Sequence, residues 1–326
     1  MLISEVFDEF VQYKLIEEER SPETIVKYHD CIHRFIELEG DLDVEAIGKF
    51  HITDIKVRLQ HLSAARISSI LNCVRSLLKY CEDEKELEVY DHKKIKVPRI
   101  PDKEIIYLTN EEIKAFLDEI DITTLTGLRT RTLCEVLLDT GARISEALQL
   151  DRTSILTEDR VTFAKIIGKG KKERKLYFSG RALFWIEKYL NAREDSESPL
   201  FVTHKKGFTC ERLRRNHGTK DLAIIAKRAG IQKKITPHIF RHTFLTNLIK
   251  NGCSLAVLQR LAGHARIQTT IKFYARLDDT DLIAGKQKLD YEVVDNWQEE
   301  KKEKCWNLGI KTPTQKQNLS LSLMPA

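Results

Sequence analysis

Helix start and stop signals recur along most of this chain, and they constrain its fold more than any other feature. The stretch "SPETIVKYHDCIHRFIELEG" places Ser21 as an N-cap, Pro22 at the first helical position and Gly40 at the far end. Apolar residues at helical spacing accompany such signals repeatedly. By contrast, residues 160–179, "RVTFAKIIGKGKKERKLYFS", alternate as a strand, a tight turn and a second strand. The pattern predicts a mainly α-helical chain with one small antiparallel β-sheet.

The chain has 326 residues, which is long enough for two domains. Its composition divides it into four parts. Residues 1–90 predict a small bundle of four helices. Residues 91–104 contain two prolines and many basic side chains, and predict a linker. Residues 105–285 predict a second, mostly helical domain built around the hairpin. Residues 286–326 turn polar and predict a tail, either one more helix or a disordered segment.

Several classes of protein are disfavoured by the sequence. It contains no run of about eighteen apolar residues, so we expect no transmembrane helix. The first ten residues, "MLISEVFDEF", lack the basic region of a signal peptide. The seven cysteines are odd in number and scattered, with no C-x-x-C pair, which favours free thiols in a reducing compartment. We therefore expect a cytoplasmic protein.

Charge is distributed unevenly and indicates a polyanionic partner. Residues 1–50 hold five basic and thirteen acidic residues, whereas the rest of the chain holds forty-nine basic and thirty-six acidic ones. Residues 205–234 carry ten Lys/Arg against two acidic residues. We expect a helix there, with Arg212, Arg214 and Arg215 able to reach DNA phosphates or guanine edges. A solvated basic face is the alternative interpretation.

The stretch "TPHIFRHTFL" begins a helix with two groups suited to binding an anion. Thr236 can cap the helix and Pro237 can open it, which places His238 and Arg241 on one face. A zinc site made by His238 and His242 is possible at their i,i+4 spacing. It lacks the glutamate of H-E-x-x-H and a clear third ligand, so we favour a packing or supporting role for His242.

Two further stretches each present a cationic group beside a structural stop. In "DTGARISEALQLD" a helix ends at Gly141 and the next begins near Arg143, with Glu146 placed to orient the guanidinium. A surface ion pair is the alternative for this stretch. In "IIGKGKKERK" Lys169 lies between two glycines at the tip of the hairpin. It could donate a proton into a groove, or it could simply be solvated.

A fourth stretch, "LAGHARIQTTIKFYARL", supplies a histidine and a tyrosine. His264 follows Gly263, where a helix has just ended, and Tyr274 lies ten residues later beside Phe273. A tyrosine at helical spacing usually belongs to a core, but these two neighbours point in different directions. Together, two arginines, a lysine and two histidines could surround a phosphodiester that Tyr274 attacks. No cluster of acidic residues suggests a Mg²⁺ site, so the predicted chemistry uses no metal and no cofactor.

In these motifs the chain resembles the tyrosine recombinase family, which includes phage integrases and the Xer recombinases. The matching text is "TGARISEALQL", "GKGKKER", "TPHIFRHTFLTNLIKNG", "LQRLAGHARIQTT" and "FYARL", and the resemblance covers roughly residues 4–285. It implies a four-helix core-binding domain of the SAM-like type and a mostly helical catalytic domain with a small antiparallel sheet. In the family these two domains form a C-shaped clamp on DNA.

The resemblance also implies roles for single residues. Arg143 and Arg241 would bind the scissile phosphate, and Lys169 would be the general acid for the departing 5′-hydroxyl. His238 and His264 would bond the phosphate and help to move the tyrosine proton. Tyr274 would form a 3′-phosphotyrosyl bond, and Glu146 would support Arg143.

DNA contacts and partners follow from the same resemblance. The expected DNA-binding residues are basic side chains of both domains: Arg66, Arg75, Lys79, Lys171, Lys172, Arg174, Arg212, Arg214 and Arg215. The expected partners are double-stranded recombination sites, bound by a homotetramer on two duplexes that exchanges strands through a Holliday junction. A monomer in solution is compatible with this.

The biological event would be integration or excision of a mobile element, or resolution of DNA dimers. Two alternatives remain. A type IB topoisomerase-like enzyme would rejoin the same strand, and a non-catalytic regulator would only bind DNA.

Overall fold

A computed structural model of the chain describes residues 1–101, 105–168, 173–204, 210–264 and 267–274, except for the side chains of Lys220, Lys272 and Tyr274. The chain divides into two compact units, Met1–Glu104 and Ile105–Ala326. Each unit has its own apolar core. No helix in the described ranges combines the length and apolar character that a bilayer crossing requires.

The first unit is a bundle of four α-helices in its described residues. They are α1 (Ile3–Ile16), α2 (Pro22–Glu39), α3 (Lys49–Arg58) and α4 (Ala64–Lys85). Pro22 opens α2 and Gly40, with φ of +87°, ends it, as their sequence signals predict. The helices pack around fully buried side chains such as Phe10, Phe35 and Leu71. The four-helix prediction is confirmed.

Part of the segment predicted as a linker packs on this bundle. Ile95 is buried in the core of the first unit. The Ser68 hydroxyl on α4 donates a hydrogen bond to the Pro98 carbonyl at 2.9 Å. The Arg75 guanidinium on α4 donates one to the His92 carbonyl at 3.1 Å. These contacts fix residues 92–98 against α4.

The second unit is mostly helical, with one three-stranded antiparallel sheet in its described residues. Its elements are α5 (Asn110–Asp118), α6 (Leu125–Thr140), α7 (Ile144–Leu148), β1 (Ile155–Glu158), β2 (Val161–Ile167), β3 (Glu173–Phe178), α8 (Gly180–Asn191), α9 (Arg215–Arg228), α10 (Pro237–Lys250), α11 (Leu255–Ala262) and α12 (Ile267–Tyr274). The strands run in the order β1-β2-β3, and Ile167 lies opposite Glu173 across the hairpin. The predicted hairpin and fold class are confirmed. Strand β1, which the sequence pattern did not predict, adds a third strand to the hairpin.

Helix α6 organises the core of the second unit. It contacts α8, α10 and β3, and it buries Leu133, Val136 and Leu137 completely or nearly so. Phe116 and Phe240 meet edge to face beside it, with ring centroids 5.5 Å apart. The rigid backbone of α6 therefore determines where its C-terminal end, and the turn that follows, are placed.

A separate small core joins the last helices. We call it the α10–α11 cluster, and its buried members are Leu245, Ile249, Leu258 and Ala262. Phe273 of α12 is half-buried and packs against this cluster. Helix α12 therefore docks mainly through an apolar contact on α10 and α11, both of which it touches.

One helix begins later than the sequence predicts. The basic stretch from Cys210 was expected to be helical, but α9 begins only at Arg215. Arg212 instead forms a β-bridge with Val202, and its guanidinium donates a hydrogen bond to the Leu148 carbonyl at 2.9 Å. The carbonyls at the end of α7 lack partners within their own helix, so this arginine is held in an extended segment that satisfies them.

Candidate active site

The turn between α6 and α7 places Arg143. Helix α6 ends at Gly141, whose φ of +59° lies in the left-handed region. A Cβ at this position would come within 2.2 Å of the Phe244 ring, so the turn also needs the space that glycine leaves. Arg143 follows as the N-cap of α7, and its side chain is 31% exposed. Its guanidinium therefore stays accessible at a helix start.

Glu146 is the buried carboxylate of this region. Its Oε2 accepts hydrogen bonds from the Arg143 backbone N–H and from the Arg174 guanidinium, each at 2.7 Å. Its Oε1 accepts one from the Arg143 guanidinium at 2.8 Å. Burial acts to raise the pKa of Glu146, but the Arg143 N–H and the Arg174 charge outweigh it and hold the pKa below its ordinary value. The carboxylate is therefore ionised at neutral pH and orients two arginines.

Two guanidiniums hold the C-terminal end of α11. Arg174 on β3 donates to the Leu261 carbonyl at 2.5 Å, and Arg241 on α10 donates to the Ala262 carbonyl. The last carbonyls of a helix have no partner inside it, and the helix dipole makes that end negative. Arg241 also donates to the Gly141 carbonyl at 2.7 Å. These bonds join β3, α10, α11 and the end of α6.

The positive charge of Arg241 is buried. Its residue is only 4% exposed. Burial, together with the charges of Arg143 and Arg174, lowers the pKa of Arg241 to about 9. The three like charges are accompanied by the single carboxylate of Glu146, which acts in the opposite direction. A bound anion would relieve the repulsion among the three arginines.

His264 follows α11 directly after Gly263, and its ring is anchored on α12. Its Nδ1 lies 2.9 Å from the Thr270 hydroxyl. Burial, together with the charges of Arg241 and Arg143, lowers the pKa of His264 to about 4. The ring is therefore neutral at pH 7. Since Nδ1 is engaged, Nε2 is the nitrogen that can meet a ligand.

His238 and His242 lie on successive turns of α10. His238 is exposed, and its pKa is lowered by partial burial and then by nearby arginines, Arg241 first. His242 is half-buried, and its Nδ1 lies 3.2 Å from the Ile106 carbonyl. The two rings are 6.4 Å apart between centroids. In the ranges that the structure describes, no group of three or more His, Cys, Asp or Glu side chains is placed to hold a metal ion.

The predicted nucleophile is only partly within the described structure. Tyr274 is the last residue of α12, and its side chain lies outside the described residues. Its neighbour Phe273 packs on the α10–α11 cluster and meets the His242 ring at 5.5 Å between centroids. Of the adjacent residues Phe273 and Tyr274, Phe273 is therefore the one that packs on the apolar cluster in the described structure.

The predicted general acid Lys169, like Lys171 and Lys172, lies outside the described residues. Gly168, the residue before it, lines an open cleft of about 900 Å³. Arg143, Arg174 and His264 line the same cleft. The structure therefore brings together Arg143, Glu146, Arg241, His238 and His264 through shared contacts and charges, and it adds Arg174.

Comparison with known proteins decides the family. Residues 107–281, more than half of the chain, match the model of the phage integrase family. This chain belongs to the phage integrase family. A tyrosine recombinase XerD of Oceanobacillus iheyensis is 30% identical over 282 residues, which are 82% of this chain and 93% of that protein. A tyrosine recombinase XerC of Escherichia coli is 27% identical over 278 residues, covering 83% of this chain and 91% of that protein. As a member of this family, the chain is a tyrosine site-specific recombinase.

Solved structures show that the phage integrase family fold extends over most of the chain. The integrase of the Tn1549 transposon, in complex with circular intermediate DNA, matches with a TM-score of 0.70 at 17% identity and covers 87% of this chain and 99% of that one. The XerH site-specific recombinase, bound to a palindromic difH substrate, matches with a TM-score of 0.64 at 22% identity. The match covers 80% of this chain and 78% of that one. At these identities the likeness concerns the fold.

Three residues predicted to bind DNA lie on α4 in the first unit of this phage integrase family member. Arg66 donates to Asp30 at 2.7 Å, and Lys79 lies 3.1 Å from Asp83. Both ion pairs are substantially exposed, so they are worth little to stability and can open for another partner. Arg75 donates to the His92 carbonyl at 3.1 Å.

The three arginines near α9 differ in their surroundings. The guanidinium of Arg212 is engaged with α7 and with Asp151 at 2.5 Å. Arg214 is highly exposed and lies 3.7 Å from Glu211. Arg215, the first residue of α9, is exposed and its charge contributes to the lowered pKa of His238. Among these three, Arg215 is the one whose charge acts on the site.

The sequence did not indicate an active-site role for Arg174 or Thr270. Arg174 was predicted as a DNA contact because it lies in a basic hairpin. Its alternation with Leu176 and Phe178, both apolar, is a signal that it lies on the inner face of a strand. Nothing in the sequence marks Thr270, whose role depends on how α12 packs against the loop at His264.

Proposed function

We propose that the chain cleaves and rejoins DNA through a 3′-phosphotyrosyl intermediate on Tyr274. The observation that carries this proposal is the surplus of positive charge among the arginines around Glu146. Arg143, Arg174 and Arg241 are accompanied by one ionised carboxylate, Glu146. Two positive charges of this group are therefore unbalanced among the described side chains.

This surplus matches the charge of the proposed transition state. A phosphodiester carries one negative charge, and attack on its phosphorus adds a second in the pentavalent state. Fixed guanidiniums in a partly buried site stabilise the doubly charged state more than the singly charged one. Because Arg241 is buried and held by two carbonyls, it needs no rearrangement to do so.

The histidines supply neutral hydrogen-bonding groups. The lowered pKa values of His238 and His264 keep both rings uncharged at pH 7. In this proposal the Nε2 of His264 donates to a phosphate oxygen while Nδ1 stays with the Thr270 hydroxyl. The ring of His238 can accept the proton of the tyrosine, because a bound phosphate raises its pKa toward the range needed for proton transfer.

In the proposed cleavage step, the Tyr274 hydroxyl oxygen attacks phosphorus and the bond to the 5′-oxygen breaks. Lys169 gives a proton to the departing 5′-oxygen, and one histidine takes the phenol proton. Rejoining reverses these transfers when a 5′-hydroxyl of another strand attacks the phosphotyrosyl ester. The ester keeps the energy of the broken bond, so the exchange uses no ATP. The arginines supply the positive charge, so the step calls for no metal.

Exchange between sites needs several active sites on two duplexes. We extend the proposal to four copies acting through a Holliday junction, at sites of a mobile element or of a DNA dimer. Two structures support this extension. The XerH complex with difH is described as post-cleavage, and a lambda integrase fragment was seen as a dimer bound to a core site. The lambda integrase match has a TM-score of 0.67 at 14% identity and covers 82% of this chain and 97% of that one.

The test uses a nicked duplex whose site has been selected by the full chain from a randomised pool. Wild type, Tyr274→Phe and Tyr291→Phe are incubated with it in EDTA and run on a denaturing gel. Tyr291 is the matched control, because it is the other tyrosine after His264 in the sequence. We expect a slowly migrating covalent adduct with wild type and Tyr291→Phe, and none with Tyr274→Phe.

Two results would contradict the proposal. Absence of an adduct with all three proteins, on DNA that they bind, would favour a DNA-binding protein without strand chemistry. An adduct accompanied by relaxation of supercoiled DNA, with no joining of paired sites, would favour a topoisomerase-like enzyme.

A further inference from the structure

Arg174 lies on the inner face of β3. The strand alternates exposed Lys175 with buried Leu176 and Phe178, and Arg174 shares the face of the latter two. It lies opposite Ile166, which is itself buried. The Arg174 side chain is 10% exposed. The strand therefore directs this basic side chain into the unit, whereas its exposed neighbour Lys175 lies on the opposite face of the strand.

The guanidinium of Arg174 joins two elements that carry site residues. One nitrogen donates to the Leu261 carbonyl at 2.5 Å, near the end of α11, and the other donates to Glu146 on α7 at 2.7 Å. Leu261 lies three residues before His264. Glu146 in turn holds the Arg143 guanidinium and backbone. One planar group thus fixes the start of α7 relative to the end of α11.

Arg174 and Arg241 act as a pair at the end of α11. They donate to the consecutive carbonyls of Leu261 and Ala262. From there Arg241 reaches the end of α6, at the Gly141 carbonyl, and Arg174 reaches α7. The two arginines therefore brace α11 against both sides of the turn that carries Arg143.

We propose that Arg174 is a positioning residue of the recombination reaction, holding the Arg143–Glu146 pair and the His264 end of α11 in one arrangement. It acts through these groups and contributes no contact to the DNA. The inference rests on the roles proposed above for Arg143 and His264. Lysine cannot replace it, because a single ammonium lacks the planar fork that spans both acceptors.

A direct phosphate contact is the competing interpretation, and it makes different predictions. A phosphate contact contributes to DNA affinity, and its loss reduces the slope of log affinity against log salt by about one. A positioning residue leaves affinity and slope unchanged and alters the cleavage rate of DNA that is already bound. The distinction therefore requires both measurements on the same variant.

The experiment compares Arg174→Lys with Arg193→Lys in the full chain, and it adds Arg174→Gln, because lysine keeps a positive charge that could still pair with a phosphate. Arg193 is the matched control, because its side chain is fully buried and donates to the Pro199 and Leu200 carbonyls, in a part of the unit that does not line the cleft. Thermal stability, DNA affinity at several salt concentrations and single-turnover adduct formation on saturated nicked duplex are measured for each.

We expect Arg174→Gln to bind DNA with an unchanged salt slope. Both Arg174 variants should form adduct at least about tenfold more slowly than wild type. Arg193→Lys should lose comparable thermal stability and cleave at the wild-type rate below its melting temperature. In the double variant Arg174→Lys/Glu146→Gln, the cleavage rate should fall by less than the two single effects combined, since both residues act through Arg143.

Three results would overturn the inference. The first is a salt slope reduced by about one in Arg174→Gln, with normal cleavage of saturated DNA. The second is a loss of cleavage rate in Arg193→Lys equal to that in Arg174→Lys. The third is strict additivity of the cleavage losses of Arg174→Lys and Glu146→Gln. If wild type itself forms no adduct, the proposed function and this inference fall together. If wild type forms adduct and Arg174→Lys matches it, only the inference fails.

Discussion

Gly263 leaves room for Arg174 at the end of α11. A Cβ on Gly263 would lie 2.6 Å from Arg174 Cδ and 2.9 Å from its Nε. That Nε is buried and has no hydrogen-bond partner among the described residues. Gly263 also adopts a φ of +61°, which glycine tolerates best. Glycine is therefore favoured at position 263 for two reasons. The backbone adopts a positive φ, and the Arg174 side chain needs the space that a Cβ would fill.

Gly263→Ala should separate these two effects when compared with Gly230→Ala. Gly230 has a similar φ of +70°, but no atom lies within 4 Å of an added Cβ. We expect each alanine to lower the free energy of unfolding by about 1 kcal/mol through backbone strain. Gly263→Ala should also displace Arg174 and slow adduct formation. Urea unfolding and single-turnover cleavage provide the two measurements, and equal cleavage by both variants would contradict the expectation.

Glu146→Gln should weaken both stability and cleavage. The neutral amide cannot compensate the Arg143 and Arg174 charges, and loss of one partner from a buried ion pair costs about 3 kcal/mol. Glu135→Gln is the control, because Glu135 is equally buried and accepts from Arg131 at 2.9 Å and Arg181 at 2.7 Å away from the cleft. Both variants should lower the urea midpoint, and only Glu146→Gln should slow cleavage. A similar cleavage defect in Glu135→Gln would show that stability alone is responsible.

Stability should fall as pH decreases from about 6.5 to about 4. The pKa of His264 is lowered to about 4 in the folded chain, and that of His204 likewise, both chiefly by burial. An unfolded histidine, with a pKa near 6.5, binds a proton in this range that the folded one does not. His264→Gln should therefore flatten the pH dependence of the urea midpoint below pH 6.5. An unchanged slope in this variant would contradict the low pKa of His264.

An anion at the site should raise the pKa of His264. The phosphate charge would favour the protonated ring, in opposition to the burial and arginine charges that lower its pKa. His204 is the internal control, because its Nε2 lies 2.8 Å from the Tyr189 hydroxyl and it does not line the cleft. NMR titration of the histidine rings, with and without inorganic phosphate, should show the rise at His264 and none at His204. Equal behaviour of the two rings would place the anion elsewhere.

Arg215→Gln should weaken DNA binding and reduce the salt slope by about one. Arg215 begins α9 and its charge acts on His238, so it lies close to the proposed phosphate position. Arg228→Gln is the control, since this exposed arginine ends the same helix. Fluorescence anisotropy at several salt concentrations measures both slopes. Equal slopes for the two variants would mean that α9 does not approach DNA by its first turn.

Local sequence signals were sufficient for the elements that present the site. Gly141 marked the end of α6, and Thr236 with Pro237 marked the start of α10, because caps and stops depend on backbone groups within a few residues. The spacing of Arg143 and Glu146 likewise predicted their contact, since an i,i+3 pair lies on one helical face.

Contacts between distant segments could not be predicted in this way. The bond from Arg174 to Glu146 depends on how β3 packs beside α7, and the sequence contains no local trace of that packing. Arg212 was expected on a helix, but carbonyls at the end of α7 hold it in an extended segment. Strand β1 was missed because its four residues are mostly exposed and show no apolar alternation.

The docking of α12 has a consequence for local stability. The helix that ends in Tyr274 rests on the α10–α11 cluster through Phe273, and this cluster is separate from the large core around α6. Its backbone amides should therefore exchange with deuterium through a partial opening that leaves the arginines braced, well before those of α6 exchange through global unfolding. Such an opening would release the proposed nucleophile and free the His264 ring from Thr270, while Arg143, Arg174 and Arg241 keep their places.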